Sequence, residues 1–262
     1  MSTNVVLFTS LKGGCGKSTV CANLACALSS RQKRVLLISL DKYNSSLDLL
    51  FGCESFLFDV ADFPERQLSE ICLPIDGCDG LFLALSMPYA KKEEDVRELI
   101  ESAKSSGEYD FVFIDKAASH ISDTVRLAEM SDKVLVISTQ ADDSLRSAEL
   151  LGCLLADNGI DDDKISLVLN SFYTDVASVG YFKGISTIIA ETKIRLLGIV
   201  PFSDELCAKQ TVIKNIKDGD VINAFSNISG RLIGEDRKIL DFLPAKNRRI
   251  ILNNECSGGN RI

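Results

Sequence analysis

The sequence predicts an α/β protein built around a doubly wound, mostly parallel β-sheet with helices on both faces. Three observations support this expectation. Short runs of β-branched and aliphatic residues recur along the chain, the stretches between them show the apolar spacing of helices, and a glycine-rich turn separates the first run from the first helical stretch. Continuous apolar runs are typical of parallel strands, because such strands are buried on both faces. We therefore expect strands and helices to alternate through one layered domain.

The predicted elements follow one another in a regular order. The expected strands are the apolar runs Val5–Thr9, Val35–Leu40, Leu81–Leu85, Phe111–Ile114, Val134–Ser138, Ile165–Leu169 and Leu196–Val200. The expected helices are Lys17–Ser30, Glu93–Lys104, Ser122–Met130, Ser144–Asp157, Val176–Lys193 and Val221–Ile233. The sequence contains no proline-rich linker, low-complexity segment or internal repeat. We therefore expect one domain over residues 1–235, followed by a basic tail over residues 236–262.

The composition of the chain narrows the classes of function. Its 262 residues include 29 Lys and Arg against 37 Asp and Glu, which gives a formal net charge of −8. Nucleic acid is therefore not an expected partner, because non-specific binding needs clustered basic side chains. No run of 18 apolar residues is present, so we expect a cytoplasmic protein whose membrane contact, if any, is peripheral. The nine cysteines include no C-x-x-C pair, which indicates free thiols.

A glycine-rich segment after the first apolar run has the features of a phosphate-binding loop. It reads SLKGGCGKST over Ser10–Thr19. Glycine lacks a Cβ atom, so the chain can turn tightly and direct backbone N–H groups at an anion. Lys17 would add a point charge for the β- and γ-phosphates, and the Ser18 hydroxyl is a ligand for Mg²⁺. The alternative is a glycine-rich turn that binds nothing. The expected nucleotide-binding residues of the loop are Gly13, Gly14, Cys15, Gly16, Lys17, Ser18 and Thr19.

A second lysine ahead of the glycines distinguishes this loop from the ordinary motif. The pattern G-x-x-x-x-G-K-[ST] requires glycine where the sequence has Leu11, and the chain instead shows K-G-G-x-G-K-[ST] beginning at Lys12. This loop resembles the deviant phosphate loop of the MinD/ParA family of P-loop ATPases. The resemblance implies that the chain binds ATP and Mg²⁺ and forms an ATP-dependent homodimer. It also implies that Lys12 reaches the nucleotide of the partner subunit and takes part in catalysis with Lys17 and Asp41.

The end of the second predicted strand supplies a candidate for positioning the attacking water. A carboxylate at the carboxyl edge of a parallel sheet can orient water toward the γ-phosphate, and Asp41 holds that place. Family members end this strand in D-x-D, where Asp41 matches the second aspartate and Ser39 replaces the first. The segment S-L-D-L-L-F-G-C-E that follows resembles the MinD pattern N-L-D-L-x-x-G-x-E. The alternative is that Asp41 is only a solvated loop residue.

The fourth predicted strand leads into Asp115, which we expect to hold Mg²⁺. An apolar run that ends in aspartate delivers a Walker B carboxylate to the ion, usually through a water. Family members continue D-x-P-A-G, whereas this chain has Ser119 at the glycine position. Because a side chain restricts the backbone dihedrals there, we expect slow or altered hydrolysis. The only histidine, His120, is either a phosphate sensor or a solvated loop residue.

Residues at the ends of the last two predicted strands are candidates for binding adenine. The resemblance places Asn170, in the LVLNSF run, against the purine, together with the segment that contains Pro201 and Asp204. The alternative for that segment is structural. Pro201 would then end a strand, and Ser203 or Asp204 would cap the next helix.

The predicted tail differs in charge from the rest of the chain. Residues 237–262 include six basic and two acidic side chains. An apolar group over residues 239–243 resembles a weak version of the amphipathic membrane helix of MinD proteins, although Pro244 limits its length. Two alternatives are open. The tail either binds an anionic membrane surface, or it packs on its own domain or is disordered.

The family resemblance extends over about residues 4–235 and implies a function. It predicts a MinD-like ATPase, a dimerisation switch that acts in spatial positioning at the membrane by selecting the septum site for cell division. A regulatory protein that stimulates hydrolysis is an expected partner. The alternatives are a MinD-like ATPase that positions flagella or pili, and a degenerate nucleotide-binding module with little hydrolysis. A DNA-partitioning ParA protein is a third alternative, which the net charge of −8 disfavours.

Overall fold

Strands and helices alternate through the residues that the computed structural model describes, which are 2–40, 47–53, 57–86, 96–116, 120–173, 183–209 and 212–241. The strands are β1 (Asn4–Thr9), β2 (Val35–Ser39), β3 (Leu73–Pro74), β4 (Leu81–Leu85), β5 (Phe111–Asp115), β6 (Lys133–Ser138), β7 (Ile165–Phe172) and β8 (Arg195–Pro201). The α-helices are α1 (Lys17–Ser29), α2 (Leu47–Phe51), α3 (Leu68–Ile71), α4 (Val96–Ser106), α5 (Ile121–Met130), α6 (Asp142–Asp157), α7 (Ile185–Thr192), α8 (Asp204–Lys209) and α9 (Gly219–Leu232).

The strands form one eight-stranded sheet in the order β3-β4-β2-β5-β1-β6-β7-β8. Neighbouring strands are parallel, except that β3 pairs antiparallel with β4. β1 lies between β5 and β6, and the chain builds the sheet first on one side of β1 and then on the other. This reversal leaves a crevice outside the carboxyl ends of the central strands, which is the usual ligand site of such sheets.

Alternate residues of the strands pack into two cores, one on each face of the sheet. In β1, Val5 and Leu7 belong to the first core, whereas Val6 and Phe8 belong to the second. The first core includes apolar residues of α4, α5, α6 and α7, and the second includes those of α1 and α9. The predicted doubly wound, mostly parallel sheet is therefore confirmed, because helices cover both faces.

All of the predicted strands occur, and β7 continues to Phe172 beyond its predicted end at Leu169. Sequence analysis missed β3, an edge strand of two residues that ends in a proline. It also missed α2 and α3, which contain only five and four residues, whereas the helix expected after Pro201 occurs as the six-residue α8. Elements this short complete fewer than two helical turns, so they carry little periodic signal.

The predicted helix Val176–Lys193 is wrong at Lys183 and Gly184, which the structure describes as non-helical. Lys183 and Gly184 precede α7, and Gly184 is its N-cap with extended backbone angles of −69° and 164°. Glycine costs about 1 kcal/mol in a helix interior but is common at the N-cap, so the helix begins after it. Residues 174–182 lie outside the described residues, as do residues 93–95 at the start of another predicted helix.

The chain after α9 packs back on the domain. Glu235 forms ion pairs with Arg31, just beyond α1, and with Arg237, both at 2.6 Å. Asn227 Nδ2 donates a hydrogen bond to the Lys238 carbonyl at 3.0 Å. These contacts join the end of the phosphate-loop helix to the first residues of the predicted tail.

In the described part of the predicted tail, Leu240 is buried and belongs to the first core. Residues 239–241 form a turn, and residues 242–262 lie outside the described residues. The domain boundary at residue 235 stays a prediction. In the described part of the chain, no helix has the length and apolar character needed to cross a bilayer.

Candidate functional site

The glycine-rich loop joins the end of β1 to the start of α1. Gly14 and Gly16 have φ angles of 79° and 80°, in the left-handed region that favours glycine. Gly16 is also the N-cap of α1, and its carbonyl accepts the amide of Val20 at 2.9 Å. The amides of residues 13–16 donate to no other residue in the described part of the chain. The loop therefore combines unpartnered backbone donors with the positive end of a helix dipole, an arrangement that binds phosphate.

Lys17, the first residue of α1, forms a buried ion pair. Its Nζ lies 2.5 Å from Asp115 Oδ1, and the two side chains are 9% and 0% exposed. Asp115 ends β5, and the register of the sheet places it beside Ser39, the last residue of β2. Lys17 Nζ also donates to Ser18 Oγ at 3.4 Å. The structure thus brings together the lysine and the two predicted magnesium ligands.

The side chains around Lys17 suit a magnesium ion. Mg²⁺ prefers hard oxygen ligands and usually keeps several of its waters. Ser18 Oγ and the Asp115 carboxylate are such oxygens, and both lie next to the same ammonium group. A completely buried carboxylate needs a nearby positive charge, which the lysine supplies and a divalent cation would also supply. The residues present therefore fit the predicted ligand set.

Lys12 lies on the outer side of the loop and pairs with Asp143 in the first turn of α6. The side chains of this pair are 38% and 67% exposed, so the contact is open to solvent. The hydrogen bond from Lys12 lowers the pKa of the Asp143 carboxyl below its usual value. Within one protomer, Lys12 is therefore bound by a carboxylate of its own chain.

The start of α6 also supports the middle of the loop. Cys15 Sγ lies 3.3 Å from Ser144 Oγ, which accepts the amide of Thr139 at 3.0 Å. Ser138 Oγ lies 2.9 Å from the Ser144 hydroxyl and is hydrogen-bonded to it. Sequence analysis missed Asp143 and Ser144, because they are 131 and 129 residues from their partners in the loop and belong to no recognised motif.

Asn170, a predicted adenine ligand, lies in β7 behind the loop and is buried. Its Nδ2 donates to the Cys15 carbonyl at 2.9 Å. Its Oδ1 has no hydrogen-bond partner among the described residues. A Cβ atom at Gly16 would lie 2.2 Å from Asn170 Nδ2, so only glycine allows this close approach. The observed role of Asn170 is to support the loop, and its contact with a purine stays a prediction.

The segment after β8 contains the other two predicted adenine ligands. Pro201 ends β8 opposite Phe172, and Asp204 is exposed at the start of α8. The structural alternative for Pro201, a proline that ends a strand, is confirmed. Sequence analysis missed a stacked pair of rings beside it, Tyr173 and Phe202, whose centroids are 4.5 Å apart. Contact of this segment with a base stays a prediction.

The segments expected to respond to the γ-phosphate are only partly described. Asp41 and Ser119 lie outside the described residues. Ser39 is completely buried. His120 is exposed at the N-cap of α5, where its side chain makes no capping hydrogen bond. The roles of Asp41 and His120 stay predictions.

The chain is similar in sequence to a known family of nucleotide-binding proteins. The family model described as CobQ/CobB/MinD/ParA nucleotide binding domain matches residues 6–212. The septum site-determining protein MinD of Thermotoga maritima is 26% identical over 242 residues, with 88% of this chain and 89% of that protein covered. The septum site-determining protein MinD of Bacillus subtilis is 29% identical over 248 residues, with the same coverage of 88% and 89%.

Solved structures share the fold. A chain of the MinC:MinD cell division protein complex from Aquifex aeolicus superposes with a TM-score of 0.81 at 24% identity, covering 90% of this chain and 98% of that one. The septum site-determining protein MinD complexed with Mg-ADP, from Pyrococcus horikoshii, gives a TM-score of 0.73 at 20% identity, covering 88% and 96%. Because 88% or more of each chain aligns, the likeness extends over most of the fold.

Proposed function

The chain belongs to the CobQ/CobB/MinD/ParA nucleotide-binding family, and on this premise we propose that it is a MinD-like ATPase acting in septum-site selection. The observation that carries the proposal is the buried Lys17–Asp115 pair beside a loop of unpartnered amides. The bacterial relatives named septum site-determining protein support it, because each aligns with 88% of the chain. A phosphate site with these residues suits a nucleotide. The relatives suggest that the bound nucleotide serves septum-site selection.

ATP is held mainly by its phosphates. The amides of residues 13–16 and the N-terminus of α1 surround the anion, and Lys17 exchanges part of its contact with Asp115 for the β- and γ-phosphates. Ser18 and Asp115 hold Mg²⁺, which when bound offsets phosphate charge. The adenine base lies near Asn170, Pro201 and Asp204.

Hydrolysis depends on positioning and charge. Asp41 orients a water whose oxygen attacks the γ-phosphorus, and the bond to the bridging oxygen of the β-phosphate breaks, which yields ADP and phosphate. Lys12 leaves Asp143 and contacts the nucleotide of the partner subunit. Because that contact forms only between subunits, hydrolysis is linked to dimerisation.

The output of the enzyme is a reversible association. ATP favours the homodimer, and hydrolysis releases it. Two basic tails in one dimer bind an anionic membrane surface more tightly than one tail does, so membrane contact follows the nucleotide state. The similar structure from Aquifex aeolicus is a MinC:MinD cell division protein complex, which supports a partner protein for the dimer here.

A second candidate function is a nucleotide-binding module that dimerises but scarcely hydrolyses ATP. The observation that favours it is Ser39, which lies completely buried beside Asp115 where family members have the first aspartate of D-x-D. A serine supplies no charge at that position. The site therefore has one negative charge fewer than the resemblance implies.

Phosphate release distinguishes the two candidates. We would measure it for the wild type, Asp41→Ala and the exposed control Asp157→Ala, each with and without vesicles of anionic lipid. We expect the wild type and the control to hydrolyse ATP faster than Asp41→Ala, and lipid to increase their rates. Co-sedimentation with the vesicles should be greater with ATP than with ADP.

Two results would contradict the proposal. A wild type that is no faster than Asp41→Ala would establish the second candidate. Equal and negligible sedimentation with ATP and ADP would remove the membrane from the proposal, while leaving the ATPase activity to be judged by phosphate release.

A further inference from the structure

A cavity of about 700 Å³ opens at the far end of α1 from the phosphate loop. It lies between the last turns of that helix and the turn that connects β3 to β4. Its lining includes Cys26, Cys78, Asp79, Lys33, Arg34 and Lys214. Cys26 follows Lys17 by nine residues of helix, which is a distance of about 13 Å along the axis, so the cavity is separate from the nucleotide site.

Two thiols meet in the wall of this cavity. Cys26 Sγ and Cys78 Sγ are 3.6 Å apart and hydrogen-bonded, and both cysteines are free. Cys26 is 2% exposed and Cys78 is 8% exposed, so Cys78 is the more accessible of the two. A disulfide requires about 2.05 Å between the sulfur atoms, so bond formation needs an approach of only about 1.5 Å.

The charges around the pair make its two members different. The hydrogen bond from Cys26 and the nearby Lys214 ammonium together lower the pKa of Cys78 to about 7, although burial and Asp79 act in the opposite direction. The hydrogen bond to Cys78, together with burial, raises the pKa of Cys26. Cys78 is therefore the sulfur that ionises more readily near neutral pH, and Cys26 is the one that remains a thiol.

Lys214 contributes a positively charged side chain to the lining of the cavity. Its Nζ donates to the backbone carbonyl of Asp76 and forms no ion pair within the described residues. Lys33 adds a second ammonium, which lies 3.5 Å from Asp110, and Arg34 is also part of the lining. A small anion that enters the cavity therefore meets a largely basic lining.

We propose that Cys26 and Cys78 form a redox-active dithiol site whose substrate is a small anionic disulfide of the glutathione type. The Cys78 thiolate attacks one sulfur of the disulfide, which breaks the S–S bond, forms a mixed disulfide and releases one thiolate. The Cys26 sulfur then attacks the Cys78 sulfur, the S–S bond of the mixed disulfide breaks, and the Cys26 proton passes to the departing thiolate, which leaves as the second small thiol. The two cysteines are oxidised by two electrons and the small disulfide is reduced by two.

A structural metal does not explain the pair. Within the described residues, no group of three or more His, Cys, Asp or Glu side chains is placed to hold a metal ion. Two thiols alone do not complete the four ligands that zinc takes in structural sites. A disulfide here would instead tie α1 to the turn before β4. The proposal does not rest on the ATPase function, and its test needs no nucleotide.

The first experiment follows the thiols by mass spectrometry. The reduced, full-length protein is incubated with oxidised glutathione at pH 7.5, alkylated and digested. We expect a Cys26–Cys78 disulfide, whose formation releases two glutathione molecules in addition to the one released at each other cysteine that becomes glutathionylated. Cys26→Ser should stop at glutathione bound to Cys78, whereas the control Cys72→Ser, which alters a buried thiol that does not line the cavity, should still form the disulfide.

The same experiment can also overturn the proposal. The exposed Cys153 and Cys207 provide an internal standard for reaction with glutathione. If both carry glutathione while Cys26 and Cys78 are recovered as separately alkylated thiols in the wild type, the dithiol site does not exist. This result comes from the wild type and is independent of how well any variant folds.

The second experiment tests the preference for an anionic substrate. Oxidised glutathione should form the disulfide about tenfold faster than cystamine, a cationic disulfide, because the lining of the cavity is basic. Lys214→Gln should reduce this ratio and move the midpoint of Cys78 alkylation to higher pH. A ratio near one in the wild type, or a midpoint that Lys214→Gln does not move, would show that the basic lining plays no part.

Discussion

The two lysines of the phosphate loop lie five positions apart and in opposite environments. We call residues 15–18 the inner half of the loop and residues 11–14 the outer half. In the inner half, Lys17 is 9% exposed and pairs with a carboxylate that is 0% exposed. In the outer half, Lys12 is 38% exposed and pairs with a carboxylate that is 67% exposed. The inner pair is costly to break and the outer pair is not, so one lysine is fixed in its own subunit and the other is available to a second subunit.

Removal of the inner lysine should have the largest effect. Lys17→Ala leaves the Asp115 carboxylate buried without its ammonium, so we expect the free energy of unfolding to fall by about 3–5 kcal/mol and ATP binding to be lost. Urea unfolding and ATP titration would measure the two effects. The double variant Lys17→Met with Asp115→Leu should recover most of the stability but no ATP binding. If Lys17→Ala were as stable as the wild type, the contrast between the halves would be wrong.

Gly16 in the inner half and Gly14 in the outer half have nearly the same φ angle, so the same substitution can be compared in both halves. Gly16→Ala and Gly14→Ala share a cost of about 1–2 kcal/mol, because both residues have positive φ. Only the Cβ atom added by Gly16→Ala also clashes with the Asn170 side chain, because nothing lies within 4 Å of a Cβ atom at Gly14. We expect Gly16→Ala to cost about 1–2 kcal/mol more in urea unfolding, from the lost hydrogen bond to Cys15. Equal costs would mean that Asn170 does not constrain the loop.

Removal of the outer lysine should separate stability from assembly. We expect Lys12→Ala to keep the wild-type free energy of unfolding and the wild-type affinity for ATP, because its ion pair is exposed to solvent. ATP-dependent dimerisation, followed by light scattering after gel filtration, should be lost. The control Lys33→Ala removes a different partly exposed lysine and should dimerise normally. Loss of ATP binding in Lys12→Ala would contradict the assignment of this lysine to the second subunit.

The smallest expected effect is the acid dependence of the outer pair. Folding lowers the pKa of Asp143 below its ordinary value of 3.8, through the hydrogen bond from Lys12. The pair therefore contributes stability above that ordinary value, and the contribution is lost as the pH falls through the lowered value. The small stability difference between the wild type and Asp143→Asn should be constant from pH 7 to pH 5 and should shrink as the pH falls below 3.8. A difference that grows on acidification would exclude this pair as its cause.

The inner half of the loop was largely predictable from the sequence, because its chemistry is local. Glycines, a lysine and a serine in one short segment between a strand and a helix predict both the turn and the ligand. Asp115 was also predictable, since an apolar run that ends in aspartate marks the carboxyl edge of a strand. The fold followed from the same reasoning, because buried parallel strands are continuous apolar runs.

The contacts that support the loop were not predictable, because they join residues far apart in the chain. Asp143, Ser144 and Asn170 lie 129 to 155 residues from the loop atoms that they contact. The thiols of Cys26 and Cys78 meet across 52 residues without a spacing motif. Sequence patterns report local geometry, and these pairs exist only because the order of strands in the sheet brings their elements together.

Asn170 has one further consequence for the loop, which concerns the direction of a backbone bond. The Cys15 carbonyl points toward Asn170 Nδ2, to which it is bound at 2.9 Å. In a planar trans peptide the carbonyl and the following N–H point in opposite directions, so the Gly16 N–H points away from β7. A side chain 155 residues further along the chain therefore fixes the direction of one of the loop's N–H groups before any phosphate arrives.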